Sequence, residues 1–243
     1  MVKSIKGLVA IDLETVPNIS HDALVQLENS KISKISSNKT YKETTKQKKI
    51  EEVAEAFLEF RNGIDNDLTD EIIKDFSTNP LRNKIVAIGL TYYNESEKKV
   101  INIGKCSPDE KDLLEWMKKE LVKASVKTFS DITFGGHFIR GFDIPTLKIA
   151  LIRNDVDLKD TEYSIAERET IFPLGKYGKG VIDTYDTFPH PLNELALAIL
   201  GEGKIEDGSM VYKLFKQEKY QEIEDYVKSD SLISYKTIIK LHI

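Results

Sequence analysis

Leu8-Val9-Ala10-Ile11-Asp12-Leu13-Glu14-Thr15, near the amino terminus, reads as a buried strand that ends in two carboxylates. Val9, Ile11 and Leu13 alternate with Leu8, Ala10 and Asp12, so both faces are apolar as far as Asp12. Alternate side chains of an extended chain point the same way, which puts Asp12 and Glu14 on one face. Two like charges side by side at the mouth of a core are costly, and a divalent cation between them removes that cost. The plain alternative is a solvated strand end with Asp12 capping a turn. More carboxylates arriving from elsewhere in the chain would decide between the two.

Working outward, Val16-Pro17-Asn18 should end the strand, because proline cannot continue a ladder. A short helix over residues 21–29, with Ser20 as its cap, is expected next. Residues 31–45 are polar and lack a clear period, so they read as a flexible connector or the start of a helix. Residues 46–60 carry Ile50, Val53, Ala54, Phe57 and Leu58 on one helical face, with Gly63 placed to end the helix, and Thr69-Asp70-Glu71 opens a shorter one. Strands follow over 85–92 and 100–103, then a helix opened by Ser107-Pro108-Asp109-Glu110, a strand over 132–135, and a helix begun by Gly141-Phe142-Asp143-Ile144-Pro145. Residues 155–179 look irregular. Val181–Asp183 is a brief strand, Leu192–Leu200 an apolar helix stopped at Gly201, and Tyr220–Leu241 the last helix. Strands alternating with helices after residue 84 predict an α/β fold, a mixed sheet with helices on its faces. The first three strands are expected as antiparallel neighbours, with residues 16–80 as a largely helical, Lys-rich insertion between the first two.

The composition of the 243 residues is ordinary for a globular protein, and no apolar run approaches the length of a bilayer span, so no membrane partner is expected. Cys106 is the only cysteine, which excludes an intrachain disulfide; with no secretory pattern at the amino terminus, an intracellular, cytoplasmic setting is expected. A net charge of −5 gives no bulk attraction to nucleic acid. The distribution is uneven: residues 31–49 hold seven lysines and one acid, Glu43. Lys42, Lys46, Lys48 and Lys49 are therefore candidates for neutralising phosphates, against the plainer reading of a solvated helix face.

Two further carboxylates stand out. Ile223, Tyr226, Asp230, Ile233 and Thr237 lie three or four apart and form one stripe of the last helix, which would bury Asp230 with Tyr226 one turn before it. Asp143 lies between Phe142 and Ile144 after a strand and two glycines. Each has an ordinary explanation alone: a rotated, solvated stripe, or an acid favoured at a helix N-terminus. Four acids in three separated segments weaken those explanations together.

Asp12-x-Glu14, Phe142-Asp143 and Tyr226-x-x-x-Asp230 resemble the three motifs of the DEDD (DnaQ-like) 3′–5′ exonucleases, in the tyrosine subtype; the histidine subtype would carry His where Asp225 stands. Lys84-Ile85-Val86-Ala87-Ile88-Gly89, Gly136-His137 and Asp207-Gly208-Ser209-Met210-Val211 add likeness to predicted exonucleases related to the proofreading domain of family B DNA polymerases. The likeness spans residues 7–15 and 84–241 and leaves out the Lys-rich segment.

The resemblance implies a single ribonuclease H-like domain over residues 1–243 and two Mg²⁺ or Mn²⁺ ions held by Asp12, Glu14, Asp143 and Asp230. In such sites the ions lie about 4 Å apart. It implies that Asp12 bridges both ions, that Glu14 and Asp230 hold the one that generates the nucleophile, and that Asp143 acts at one remove, through water. Tyr226 would orient the attacking water rather than act as a strong base, since a phenol titrates near pH about 10. The substrate would be a DNA (or RNA) 3′ end and the product a nucleoside monophosphate. With no polymerase domain expected in this chain, proofreading would act in trans, with replication or repair proteins as partners.

Substrate contacts are expected from Thr15, His137, Phe138 and Lys46. Family members often carry Asn where Phe138 stands; Phe138 could stack on a base, but a core position is the first expectation. His137 reads as structural first, and Asp183 as a strand-end turn carboxylate. The other readings are a non-catalytic nucleic-acid-binding or polymerase-accessory module on the same fold, and a ribonuclease or endonuclease.

Overall fold

The structure is a computed structural model, and it describes residues 5–18, 21–61, 70–128, 132–156, 181–203 and 208–242. The strands are β1 (Leu8–Pro17), β2 (Asn83–Asn94), β3 (Lys99–Cys106), β4 (Thr133–Gly136) and β5 (Val181–Asp183), in the spatial order β3-β2-β1-β4-β5. β1, β2 and β3 pair antiparallel; β4 and β5 join on the other side of β1 in parallel. This is the mixed sheet expected from the alternation of elements.

β1 runs two residues past Thr15, and Pro17 pairs with Asn83. The reason is that β4 covers only Leu8 to Ala10, so at Pro17 the far side of β1 carries no ladder that needs its missing N–H. Between β1 and β2 lie α1 (His21–Ser37), α2 (Glu43–Arg61) and α3 (Asp70–Ser77). α1 is longer than the sequence pattern suggested and takes in much of the polar stretch after residue 30. It packs along α2, and Lys31 pairs with Asp75 of α3 at 3.2 Å. Ser20 and Gly63, expected as cap and stop, lie outside the described residues, as does most of the irregular 155–179 stretch.

Among the described residues the further α-helices are α4 (Glu110–Thr128), α5 (Asp143–Arg153), α6 (Leu192–Leu200), α7 (Val211–Lys216) and α8 (Tyr220–Leu241). Val9, Ile11 and Leu13 of β1 face a core built with Leu113, Leu114 and Met117 of α4 and Ile144 and Leu147 of α5. Leu8 and Ala10, on the opposite face, pack with Tyr235 and Ile238 of α8. α8 lies across β1, β2 and β3. It comes this close because β2 has glycine at the crossing: a Cβ on Gly89 would fall inside the Val227 carbonyl of α8. Among the described residues no helix is long and apolar enough to cross a membrane.

Candidate active site

The alternation along β1 sends Asp12 and Glu14 to the same face as Leu8 and Ala10, the face covered by α8. The predicted stripe of α8 is buried in full: Ile223, Tyr226, Asp230, Ile233 and Thr237 all lie inside, with Asp230 1% exposed. The two elements therefore meet acid to acid. Asp12, Glu14 and Asp230 each offer a carboxylate oxygen, and these three oxygens lie within 4.8 Å of one another.

Asp143 approaches from the first turn of α5. β4 stops pairing with β1 at Ala10, which leaves the Leu13 N–H facing no strand; Asp143 Oδ1 accepts it at 3.1 Å. Burial holds the Asp143 carboxyl well above the usual carboxylate range, Asp12 raises it further, the Leu13 and Asp143 N–H groups oppose the shift, and Asp183 adds to it. An acid in that position favours a proton or a cation beside it.

Tyr226 lies one turn before Asp230 and hydrogen-bonds its carboxylate. Burial pushes the phenol far above its ordinary value, and the charges of Glu14, Asp230 and Asp12 push it further. It stays protonated throughout the working pH range and serves as a donor. Among the described residues the donor set consists of carboxylate oxygens from β1 and α8, backed by Asp143, without cysteine or histidine in the cluster. Hard oxygen ligands of this kind fit Mg²⁺ or Mn²⁺.

The expected substrate contacts divide. Phe138 is a correction: it is not core but 47% exposed, and with Asp12, His137, Tyr185 and the start of α6 (Pro191, Leu192, Asn193) it lines a cavity of about 360 Å³. Position 138 sits in the left-handed region, φ 60°, where a bulky side chain is disfavoured and asparagine is tolerated. His137 lies in the same cavity, with Nδ1 2.9 Å from the Thr184 hydroxyl. Thr15 is otherwise engaged, its hydroxyl donating to the Ser77 carbonyl at 2.7 Å. Lys46, on α2, bonds Glu43 at 2.8 Å, Lys48 pairs with Glu52, and Lys49 lies over the Tyr41 ring.

Asp183 is the turn carboxylate it was expected to be. It accepts from the N–H groups of Phe138 (2.8 Å), Arg140 (2.9 Å) and Tyr185 (3.0 Å), and so ties the loop after β4 to the end of β5. Sequence reasoning missed Tyr185, Pro191 and Asn193 as cavity residues. Tyr185 lies in a short turn after β5, and Pro191 and Asn193 open α6, where no periodicity marks a face; the nearest signal was an aromatic two residues after an acid at a strand end.

A mixed sheet in this order, with carboxylates of its central strand facing an acid on the last helix, defines a ribonuclease H-like exonuclease fold. The chain belongs to a family of predicted 3′–5′ exonucleases related to the exonuclease domain of PolB, which matches residues 74–243. The search of curated proteins finds no match. The family match begins after β1, so Asp12 and Glu14 lie outside it; the sheet brings them to Asp230, which lies inside.

Proposed function

We propose that the chain is a 3′–5′ exonuclease of the tyrosine subtype that removes nucleoside monophosphates from nucleic-acid 3′ ends, with DNA as the substrate. The observation that carries this reading is the meeting of three carboxylate oxygens within 4.8 Å, with Asp143 and Tyr226 beside them. Asp12, Glu14, Asp143 and Asp230 are the residues that would hold two Mg²⁺ or Mn²⁺ ions. When bound, the ions would neutralise the charge developing on the entering and leaving oxygens of an in-line displacement.

The chain's own residues do the rest. Asp12 and Glu14 are fixed by a strand paired along its length with β2, so their carboxylates keep their spacing without the substrate. Tyr226 keeps its proton, and its hydroxyl would orient the attacking water rather than accept a proton from it. Asp230 holds that hydroxyl. Asp143 accepts the Leu13 N–H and so ties the first turn of α5 to β1.

The test is release of labelled nucleotide from a 3′ end with and without Mg²⁺, on single-stranded DNA, duplex DNA and RNA. Asp12→Ala and Asp230→Ala are expected to abolish the release. Full activity in either variant would sink the assignment. Cleavage of 3′-blocked substrate would make it an endonuclease, and absence of divalent-ion binding by calorimetry would make it an accessory module.

A further inference from the structure

The positive charge of this chain is gathered in one place. Residues 31–49 hold seven lysines and one acid, a local charge of +6, and the rest of the chain carries −11. Among the described residues, none that lines the cavity beside Asp12 is a lysine or an arginine. In the fold the seven lysines lie along the hairpin that α1 and α2 make by packing together, most of them around the turn that joins the two helices. That turn is held by side chain and main chain. Asn38 Oδ1 accepts the Thr40 N–H at 2.9 Å, and the Lys42 carbonyl accepts the N–H groups of Thr45 and Lys46 at 2.9 and 3.0 Å.

Lys34, Lys39, Lys42 and Lys48 are exposed there. Nearby acids withdraw little: Lys46 bonds Glu43, and Lys48 stands 3.8 Å from Glu52, surface pairs of the kind that solvent and salt weaken. The order of charges along α2 is the reverse of what a helix favours, since its positive, N-terminal end attracts acids and its negative end attracts bases. Lys42, Lys46, Lys48 and Lys49 crowd the positive end, and the exposed Glu51, Glu52 and Glu55 follow them. Lysines set so close also repel one another. Helix stability does not account for this arrangement. A polyanion laid across the turn does, because it relieves the dipole and the mutual repulsion together.

The hairpin is tied to the strand that carries the acids. Lys31 of α1 pairs with Asp75 of α3 at 3.2 Å, and two residues on, the Ser77 carbonyl accepts the hydroxyl of Thr15, the neighbour of Glu14. The turn lies about 10 Å further along α1 than Lys31, some three nucleotides of a strand that advances about 3.4 Å at each.

We propose that the turn of the α1–α2 hairpin is a docking surface for a phosphodiester backbone, and that Lys34, Lys39, Lys42 and Lys48 hold the strand several nucleotides upstream of its 3′ end without regard to base sequence. The identity of that strand as substrate rests on the nuclease reading above. The surface itself lies outside residues 74–243, the part of the chain that the exonuclease family matches.

The probe is a single strand of about 20 nucleotides labelled at its 5′ end, with binding read by fluorescence anisotropy in EDTA between about 50 and 200 mM KCl. Each lysine lost from a phosphate contact should remove about 0.7 from the slope of log affinity against log salt. Replacing the four exposed lysines with glutamine should therefore flatten the slope by about 3 and erase a factor of about 50 in the loss of affinity across that range. A control variant replaces Lys98, Lys111, Lys119 and Lys123, which are equally exposed but stand on the β2–β3 turn and at α4. It makes the same change in net charge and should leave the slope alone. With Mn²⁺, the advantage in KM of the long strand over a dinucleotide should shrink at least about tenfold in the hairpin variant. Equal slopes in wild type and hairpin variant overturn the docking surface. A control that flattens the slope as much overturns it too, because the effect is then one of bulk charge. A wild type that binds with the steep slope and hydrolyses no 3′ end leaves the surface standing and overturns the nuclease reading instead.

Discussion

Asp12→Asn should make the metal-free protein more stable. Asp12 stands with Glu14 and Asp230 within a 4.8 Å circle of carboxylate oxygens. Two unit charges at that separation repel by about 3.5 kcal/mol at an effective dielectric of about 20. Asp12 and Glu14 are only half-buried, so solvent roughly halves the figure, to about 1.7 kcal/mol per pair. Asparagine removes two such pairs and keeps the shape, and the hydrogen bonds it loses take back about 1 kcal/mol. A net gain of about 2 kcal/mol is a rise in Tm of ~4–8 °C for a chain of this size. The assay is thermal unfolding in EDTA at low salt, repeated with Mn²⁺. Wild type should gain about 2.7 kcal/mol at a hundredfold excess of ion over Kd. The variant should gain far less, so that the order of stability reverses. If Asp12→Asn melts at or below the wild type in EDTA, the carboxylates are not held in mutual repulsion and the argument for a cation site fails.

Tyr226→Phe should bind Mn²⁺ as wild type does but turn over on the order of 10²-fold more slowly, measured as kcat on a 3′-labelled oligonucleotide. Asp143 has its native pKa raised, so its contribution to metal-free stability is full below its unfolded value near pH about 4 and is lost as pH rises through the native value. The Tm of wild type minus that of Asp143→Asn should accordingly fall with rising pH in EDTA and stay flat with Mn²⁺. Gly89→Ala should cost about 1–3 kcal/mol and weaken Mn²⁺ binding together, because the new Cβ must push Val227, and with it Asp230, away from β1; unchanged calorimetric affinity would count against α8 setting the site.

The placement of Asp12, Glu14 and Asp230 was legible because each sits on a periodic element. A period of two carries Asp12 and Glu14 to one face, and a period near 3.6 carries Tyr226 and Asp230 to the inner stripe of α8. The antiparallel pairing of the first three strands was expected as well, whereas the parallel joining of β4 and β5 beside β1 was not. What was not legible depends on local backbone geometry or on neighbours distant in sequence. Phe138 precedes a fully buried Ile139 and looks like core by type; only its left-handed φ turns it outward. Tyr185 is recruited by Asp183 through main-chain bonds that leave no pattern in the sequence. α1 ran past residue 30 because α2 covers it, a contact between two helices whose polar composition hides their shared face.

The two halves of the acid cluster come from opposite ends of the chain, and neither can move to relieve the other. β1 is laddered to β2 from Val9 to Pro17, and α8 is seated against β2 at a position where only glycine leaves room. Apolar packing on both faces of β1, with Val9, Ile11 and Leu13 on one side and Leu8 and Ala10 on the other, fixes the strand while its acids repel. The repulsion is therefore stored in the folded state rather than relaxed by rotation of a loop. An ion entering such a site meets ligands already in place and relieves a cost the fold already bears, so binding and stabilisation are one event. The rigid frame thus holds carboxylates in positions that are unfavourable alone and become favourable when a cation comes to lie between them.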